Sequence, residues 1–183
     1  MTLTSAATTF LSVMTVIGDI FIAITLLLFI FKRFSKGLNK LFESLMSFTR
    51  KNAIWMAFVV ATLSTFGSLF YSEIAKYDPC KLCWIQRIFM YPQAIILLIA
   101  MLRKDKDIKV YMLPLSVIGL LFAGYHYLLQ INPNVPSSCG ITGVGASCAS
   151  SPFFHFGYIT IPMMAFTAFG LLIIGYLSLR KKK

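Results

Sequence analysis

Apolar residues dominate five stretches of this chain, and basic or small polar residues concentrate in the segments between them. Each stretch approaches the roughly 20 residues that an α-helix needs to cross a hydrocarbon core. Because none shows the strict alternation of apolar and polar side chains that barrel strands require, each is predicted to be a helix. The predicted spans are residues 9–31, 53–75, 84–102, 110–129 and 157–179.

The composition indicates a membrane protein. Hydrophobic residues make up 58% of the 183 residues, charged residues 13%, and the mean hydropathy is +0.79. Soluble domains contain about 45–50% apolar residues, so we predict an all-α membrane protein. The first span is predicted to be a retained anchor rather than a cleaved signal peptide, because basic residues follow it and none precedes it. Residues 38–48 carry a helical apolar stripe, typical of an interfacial helix or of a short helix packed on the bundle.

The net charge of +11 is concentrated in alternate connections. Lysine and arginine cluster between the first and second spans, between the third and fourth, and after the fifth. This is the positive-inside pattern of a protein in the lipid bilayer of the plasma membrane. The charge therefore indicates the orientation of the chain, and no nucleic-acid partner is expected. The pattern predicts an extracytoplasmic N-terminus, two extracytoplasmic connections that carry the cysteines, and a cytoplasmic C-terminus.

The four cysteines form two pairs along the chain, Cys80 with Cys83 and Cys139 with Cys148. Disulfides persist outside the cytoplasm, yet four cysteines allow three pairings that the sequence does not resolve. A bridge from Cys80 to Cys83 would close a small ring and restrict the unfolded chain little. The first pair is therefore predicted to serve chemistry, with structural bridges as the alternative. Zinc is disfavoured and no metal is predicted, because the second pair lacks Cys-x-x-Cys spacing and free thiols are poorly kept in an oxidising compartment.

The position of the first pair favours reactive thiols. Asp78 and Pro79 are typical of a helix N-cap and first helical residue, which would place both cysteines at the positive end of the third span. Thiolates are stabilised there. Arg87 follows Cys83 by four residues and lies on the same face, where it is predicted to stabilise a thiolate or a bound electron acceptor. Snorkelling toward lipid phosphate is the alternative.

The second pair lies in residues 130–156, which contain no lysine, arginine, aspartate or glutamate and are rich in glycine, serine and proline. Such a segment is expected to let Cys139 and Cys148 close on each other or reach the first pair for thiol–disulfide exchange. A static loop staple is the alternative. Asp19, near the middle of the first span, is expected to be paired or protonated, and no role is favoured for it.

The stretch PCKLCWIQRIFMYPQ at residues 79–93, YHYLLQ at residues 125–130 and the cysteine pair that follows resemble the DsbB family of disulfide bond formation proteins. The resemblance covers about residues 53–180. The chain resembles the short-looped Gram-positive branch of the family, BdbC, more than it resembles the proteobacterial members. It implies a four-helix transmembrane bundle with two extracytoplasmic cysteine loops at residues 53–183. Residues 1–52 then form one additional N-terminal transmembrane helix and a basic cytoplasmic segment.

The resemblance also implies an enzyme, a quinone-dependent thiol oxidase that generates disulfides de novo. It would reoxidise an extracytoplasmic thioredoxin-fold partner similar to DsbA or BdbD and pass the electrons to ubiquinone or menaquinone. Cys139 would form the mixed disulfide with the partner, and Cys148 would be its loop mate. Cys80 would exchange with the loop pair, and Cys83 would face the quinone.

Two further site residues follow from the resemblance. Arg87 would lie beside the quinone, and His126 occupies the place of a histidine associated with the quinone site. Tyr125 and Tyr127 flank His126, so an interfacial aromatic belt explains this stretch equally well.

Two other functions stay open. A vitamin K epoxide reductase-like quinone reductase also carries two cysteine pairs, but its quinone-facing pair comes late in the chain, whereas the Cys-x-x-Cys pair comes first here. A non-enzymatic membrane scaffold with structural disulfides is the other alternative.

Overall fold

The computed structural model describes residues 3–103, 105, 107–132 and 147–179. These residues form five α-helices and contain no β-strand. All five helices are long and apolar enough to cross a membrane, so the predicted all-α, multi-pass membrane protein is confirmed. The helices are α1 (Leu3–Phe31), α2 (Lys36–Leu69), α3 (Lys81–Arg103), α4 (Lys109–Ile131) and α5 (Ile161–Ser178).

The surface of the bundle is apolar where a soluble protein would be polar. On α3, Ile88, Ile95 and Leu102 are 63%, 64% and 74% exposed and repeat every seven residues along one face. The opposite face of α3 is buried against the other helices, with Met90 and Leu97 in the core. An exposed isoleucine face is suited to lipid rather than to water.

Helix α2 is longer than the sequence predicts and corrects one prediction. Residues 38–48 do not form a separate interfacial or loop helix but belong to α2, which continues without a break from Lys36 to Leu69. The hydroxyl of Ser35 accepts the Gly37 N–H at 3.3 Å and starts the helix before this segment. No proline follows within α2 to interrupt the backbone hydrogen bonds, so the helix continues into the second span.

The far end of α2 widens into a π-helix, Phe70–Ile74, a form found mostly at functional sites. The buried Tyr71 of this segment stacks on Tyr77 with ring centroids 5.9 Å apart and contacts Phe153 at 5.6 Å. Lys76 then has a φ of 56°, in the left-handed region, and turns the chain toward α3. The π-helix and its ring cluster therefore close the end of the bundle that carries the cysteines.

Close helix contacts hold α2 to α5 and α4 to α5. Along α2 the small residues Ala53, Ala57 and Ala61 are buried, which lets the helix axes approach. On α4, a Cβ added at Gly119 would overlap the ring of the fully buried Phe169. Glycine is therefore required at this crossing.

A buried polar cluster joins α3, α4 and α5 near the middle of the bundle. The carboxamide oxygen of Gln93 accepts hydrogen bonds from the hydroxyls of Ser116 and Tyr176, both at 3.0 Å. Its nitrogen donates to the carbonyl of Phe89 at 2.8 Å. Gln93 is 0% exposed, and these contacts lie inside the bundle. The cluster satisfies three polar side chains that the apolar interior would otherwise leave unpaired.

Basic side chains stabilise the last turn of α5 at the opposite end of the bundle. Arg50 Nε donates to the Ser178 carbonyl at 3.0 Å, and Lys109 Nζ donates to the Leu179 carbonyl at 2.7 Å. Both cations lie at the negative end of the helix dipole and satisfy carbonyls that have no partner within the helix. The chain turns at this end between α1 and α2 and between α3 and α4.

Helix α5 begins later than the sequence predicts, at Ile161 instead of residue 157. Residues 155–159 form a tight turn closed by a bridge between His155 and Ile159. Phe156 and Gly157 have φ values of 50° and 81°, which an α-helix excludes. The turn therefore delays the helix, and it keeps His155 in the connection, as predicted.

Candidate functional site

Cys80 lies at the start of α3 and caps it. The Trp84 N–H donates to the Cys80 carbonyl at 3.1 Å, and the Cys83 N–H donates to the Cys80 sulfur at 3.4 Å. These contacts are those of an N-cap residue, with sulfur in the place of the usual oxygen. The predicted N-cap at Asp78 is therefore wrong by two residues. The consequence predicted from it stands, because both thiols still lie at the positive end of the helix dipole.

The Cys80 sulfur lies at the centre of a short chain of contacts. Cys80 and Cys83 are free thiols whose sulfurs are 3.2 Å apart. Nε2 of His126 lies 3.5 Å from the Cys80 sulfur, and Nδ1 of His126 lies 2.9 Å from the carboxamide nitrogen of Gln86. Because the carboxamide donates to Nδ1, the imidazole proton is left on Nε2 and is directed at the sulfur. Gln86 thus fixes the tautomer in which His126 donates to Cys80.

These contacts favour a thiolate at Cys80. The pKa of the Cys80 thiol is lowered to about 4. The hydrogen bond with Cys83 is the largest cause of this lowering, burial opposes it, and the hydrogen bond with His126 adds to it. Cys80 is only 4% exposed and His126 only 1%. A buried thiolate of this kind reacts only with groups that reach it through the protein.

Arg87 has protein partners. Its Nε donates to the Ser68 hydroxyl at 3.0 Å and a terminal nitrogen donates to the Ser68 carbonyl at 3.1 Å. The Tyr91 hydroxyl also donates to the Ser68 hydroxyl, at 3.1 Å, and the guanidinium lies over the Trp84 ring, 5.1 Å from its centroid. The cation is therefore held between α2 and α3, just before the π-helix, rather than extended toward lipid phosphate.

Cys148 brings the second pair close to the first. It is disulfide-bonded, only 1% exposed, and buried in one apolar cluster with Cys80, Leu82 and Leu129. Cys139, the other predicted member of the loop pair, lies outside the described residues. Members of the two pairs therefore meet in one buried cluster, an arrangement suited to thiol–disulfide exchange.

A cavity of about 770 Å³ lies beside the thiol pair. Its polar end contains Cys80, Cys83, Gln86, Arg87 and His126. Most of the remaining wall consists of apolar side chains from α1, α2 and α5. The volume is within the range of pockets that hold small organic ligands, about 300–1,000 Å³. An amphiphilic ligand with a polar head and an apolar body fits this lining.

Three potential metal ligands also meet at this site. The sulfurs of Cys80 and Cys83 and a ring nitrogen of His126 all lie within 4.8 Å of one another. Two thiolates on one tetrahedral zinc, with Zn–S bonds of about 2.3 Å, would be separated by about 3.8 Å. The observed 3.2 Å is shorter and is that of a hydrogen-bonded thiol pair.

Two polar residues of the site are not predicted from the sequence. Gln86 is one, although a glutamine directly before an arginine in an apolar helix is a signal of a buried polar contact. The other is Ser68, which receives both Arg87 hydrogen bonds. Ser68 gave no signal of its own, because the pairing depends on how α2 and α3 face each other.

Comparison with known proteins identifies similar chains. Residues 50–179 match the family described as "Disulfide bond formation protein DsbB". The chain is 42% identical over 132 residues to "Disulfide bond formation protein C" of Bacillus subtilis (strain 168), an alignment that covers 71% of this chain and 94% of that protein. It is 42% identical over 134 residues to the "SPbeta prophage-derived disulfide bond formation protein B" of the same organism, covering 73% and 89%.

A third relative comes from another organism. The chain is 41% identical over 140 residues to the "Probable disulfide formation protein" of Chlamydia caviae, covering 74% of this chain and 98% of that protein. No solved structure matches the chain. Helix α1 lies outside the family match.

Proposed function

The chain belongs to the DsbB family of disulfide bond formation proteins, and from this premise we propose that it is a quinone-dependent thiol oxidase. It is a multi-pass membrane protein with a role in disulfide formation. The proposed reaction converts two thiols of an extracytoplasmic thioredoxin-fold partner into a disulfide. Membrane quinone takes up the electrons.

The observation that carries this proposal is the placement of the Cys80–Cys83 dithiol beside both a disulfide and an apolar cavity. Cys148, disulfide-bonded, packs in the same buried cluster as Cys80. Cys83 and Arg87 line the cavity. A redox pair that contacts both a disulfide and an apolar cavity is suited to move electrons from a protein thiol to a membrane-soluble acceptor.

The electron route is a series of two-electron exchanges. The partner dithiol reduces the loop disulfide of Cys148 and, as proposed from the family, Cys139, and leaves as a disulfide. The loop dithiol then reduces the Cys80–Cys83 disulfide, so that two thiols and one disulfide exchange places. The Cys80–Cys83 dithiol closes again and releases two electrons and two protons. A bound quinone would accept the two electrons and two protons and would leave as quinol.

The chain's own groups have distinct tasks in this route. His126 donates to Cys80 and stabilises the thiolate in which this sulfur is released when the Cys80–Cys83 disulfide is reduced. Gln86 holds the imidazole in the donating tautomer. Arg87, fixed by Ser68 at the cavity wall, supplies positive charge beside Cys83. His126 also lines the cavity, so its predicted contact with quinone stays part of the proposal.

The proposed orientation follows the charge. The basic connections lie at the end of the bundle where Arg50 and Lys109 contact α5, and the cysteines lie at the other end. The positive-inside rule then places the cysteine end outside the cytoplasm, where disulfides persist and a secreted partner is available.

The test is anaerobic turnover of the purified protein in detergent with a reduced thioredoxin-fold partner, followed by quinol absorbance. One quinol should form for each pair of partner thiols oxidised, and none with Cys80→Ser. Cys83→Ser should still form adducts with the partner yet make no quinol. Normal turnover of Cys83→Ser would refute the route. Parallel assays with ubiquinone and menaquinone identify the preferred acceptor.

The two alternatives predict other outcomes in the same assay. A vitamin K epoxide reductase-like enzyme would reduce quinone with a small dithiol but leave the partner's disulfide state unchanged. A scaffold would form no quinol, and its cysteines would stay bridged in the presence of partner. The scaffold alternative does not explain a free Cys80–Cys83 pair at a cavity wall, and the order of the pairs along the chain disfavours the reductase alternative.

A further inference from the structure

Helix α1 packs tightly against the bundle although it lies outside the family match. A Cβ added at Gly18 would lie 2.9 Å from Thr167 and 3.0 Å from Leu171, both on α5. A Cβ added at Gly67 of α2 would lie 3.2 Å from Leu11. The glycines on α1 and α2 therefore let α1 settle between α2 and α5 as an integral part of the bundle.

Polar contacts fix the position of α1. The two carboxylate oxygens of Asp19 accept hydrogen bonds from the hydroxyls of Thr167 at 2.6 Å and Tyr158 at 3.1 Å. Closer to the cysteine end, the Tyr71 hydroxyl donates to Thr8 at 3.4 Å. Hydrogen bonds of this kind inside a bilayer favour one seating of the helix, because an unpaired carboxylate there is costly. The hydrogen bonds of Asp19 therefore hold α1 against α5.

The cavity extends from the redox pair along the inner face of α1. Thr15, Gly18 and Phe21 of α1 form part of its wall. Across from them, the lining residues of α2 run from Thr49 to Ser68, a rise of about 28 Å along the helix. Polar groups occur at the end near Cys83, and apolar groups dominate the rest. The cavity is therefore long and amphiphilic, with its apolar part walled by α1.

We propose that α1 forms the membrane-side wall of this cavity and binds the isoprenoid tail of a quinone whose ring lies at Cys83 and Arg87. This inference rests on the proposed function and deepens it, because it assigns tail binding to a helix outside the family match. A ring with a long apolar chain matches the polar end and apolar length of the cavity. The helix would add affinity for long-tailed quinones and little for tailless ones.

Binding can be measured without turnover through the fluorescence of Trp84, which lies beside Arg87. The chain has two tryptophans, and the exposed Trp55 is removed as Trp55→Phe. In this background the quenching of Trp84 is titrated with a long-tailed quinone and with a tailless analogue of the same ring. All variants keep the full chain and the four cysteines.

The variant that tests the wall is Thr15→Phe, which fills the cavity from its α1 side. We expect its Kd for the long-tailed quinone to rise at least tenfold and its Kd for the tailless analogue to change less than twofold. The matched control is Ile20→Phe, on the same helix but 54% exposed and away from the cavity. It should match the parent for both ligands.

A second variant protects the test against misfolding. If Thr15→Phe lowers the thermal unfolding midpoint, Ile17→Phe replaces it, because Ile17 lines the cavity yet is 54% exposed and tolerates a larger side chain. The role of the Asp19 hydrogen bonds is tested with two variants. Asp19→Leu should weaken the binding of the long-tailed quinone. Asp19→Asn keeps an acceptor for Thr167 and should bind this quinone nearly as the parent does.

The outcomes separate the two proposals. Parent protein that binds both quinones, with no tail-specific loss in Thr15→Phe or Ile17→Phe, overturns the wall and leaves the oxidase intact. Equal losses for both ligands overturn it as well, because tail binding would then not be the cause. Parent protein that neither binds a quinone nor forms quinol refutes the proposed function, and the wall with it.

Discussion

Two buried glutamines lie seven residues apart on α3, and their surroundings differ in one respect. Gln93 accepts hydrogen bonds from Ser116 and Tyr176 in an enclosed cluster at mid-bundle. Gln86 donates to His126, which in turn contacts Cys80 at the wall of the cavity. The first cluster connects three helices, whereas the second ends at a reactive sulfur. The same side chain therefore serves stability where its partners are hydroxyls and reactivity where its partner is an imidazole facing a thiol.

The pH dependence of the rate of Cys80 alkylation is the strongest test of this comparison. The pKa of Cys80 is lowered to about 4, so the thiolate is fully formed above about pH 6 and disappears only as the pH approaches 4. We expect the rate of Cys80 alkylation by iodoacetamide in the reduced protein, located by mass spectrometry, to change less than about twofold from pH 6 to pH 8.5. An ordinary thiol would gain more than a hundredfold over that range. A tenfold rise per pH unit would contradict the thiolate assignment.

His126→Leu breaks the reactive cluster at its centre. Loss of the donor to Cys80 raises the pKa of that thiol, and we expect alkylation at pH 5 to slow by about three- to tenfold. The rate at pH 9 should recover, because an unassisted thiol also ionises there. The control is His155→Leu, the other histidine of the chain, which lies in the turn before α5. Equal effects of the two substitutions would exclude a specific role for His126.

Gln86→Leu is expected to act through His126 with a smaller effect. Without the donor at Nδ1, the imidazole also adopts the tautomer that presents a lone pair to Cys80, and we expect alkylation at pH 5 to slow by about two- to threefold. Nitrogen chemical shifts of the His126 ring report the tautomer directly and would not respond to a merely structural change. Unaltered chemical shifts of the His126 ring in Gln86→Leu would show that Gln86 does not control the tautomer of His126.

Gln93→Leu should leave the reactivity of Cys80 unchanged. It deprives Ser116 and Tyr176 of their common acceptor, and we expect a loss of about 1–3 kcal/mol in the free energy of unfolding, measured by denaturation in detergent micelles. Slower alkylation of Cys80 with unchanged stability would reverse the roles given to the two glutamines.

The sequence predicts the helices well because each span must be apolar over its whole length to cross a bilayer. Five apolar runs correspond to five helices, and the positions of their ends differ where local chemistry decides. The sulfur of Cys80 caps α3 instead of Asp78, and the left-handed residues Phe156 and Gly157 delay α5. Such features depend on backbone geometry that periodicity does not encode.

The site is predictable where one motif carries it. Cys80, Cys83 and Arg87 follow from a single helical stretch, so their spacing gives their common face. The contacts of Gln86 with His126 and of Ser68 with Arg87 join different helices and depend on the rotation of each helix about its axis. The docking of α1 through Asp19 is of the same kind, because Thr167 and Tyr158 lie far along the chain.

The sulfur cap of α3 has a thermodynamic consequence. The contacts that Cys80 receives from the Cys83 N–H and from His126 are strongest when the sulfur is a thiolate, and a disulfide sulfur is a poor acceptor for them. They therefore stabilise the reduced pair more than the oxidised pair and raise its reduction potential. The start of a helix thereby makes the Cys80–Cys83 disulfide a stronger oxidant toward the loop cysteines that it must reoxidise.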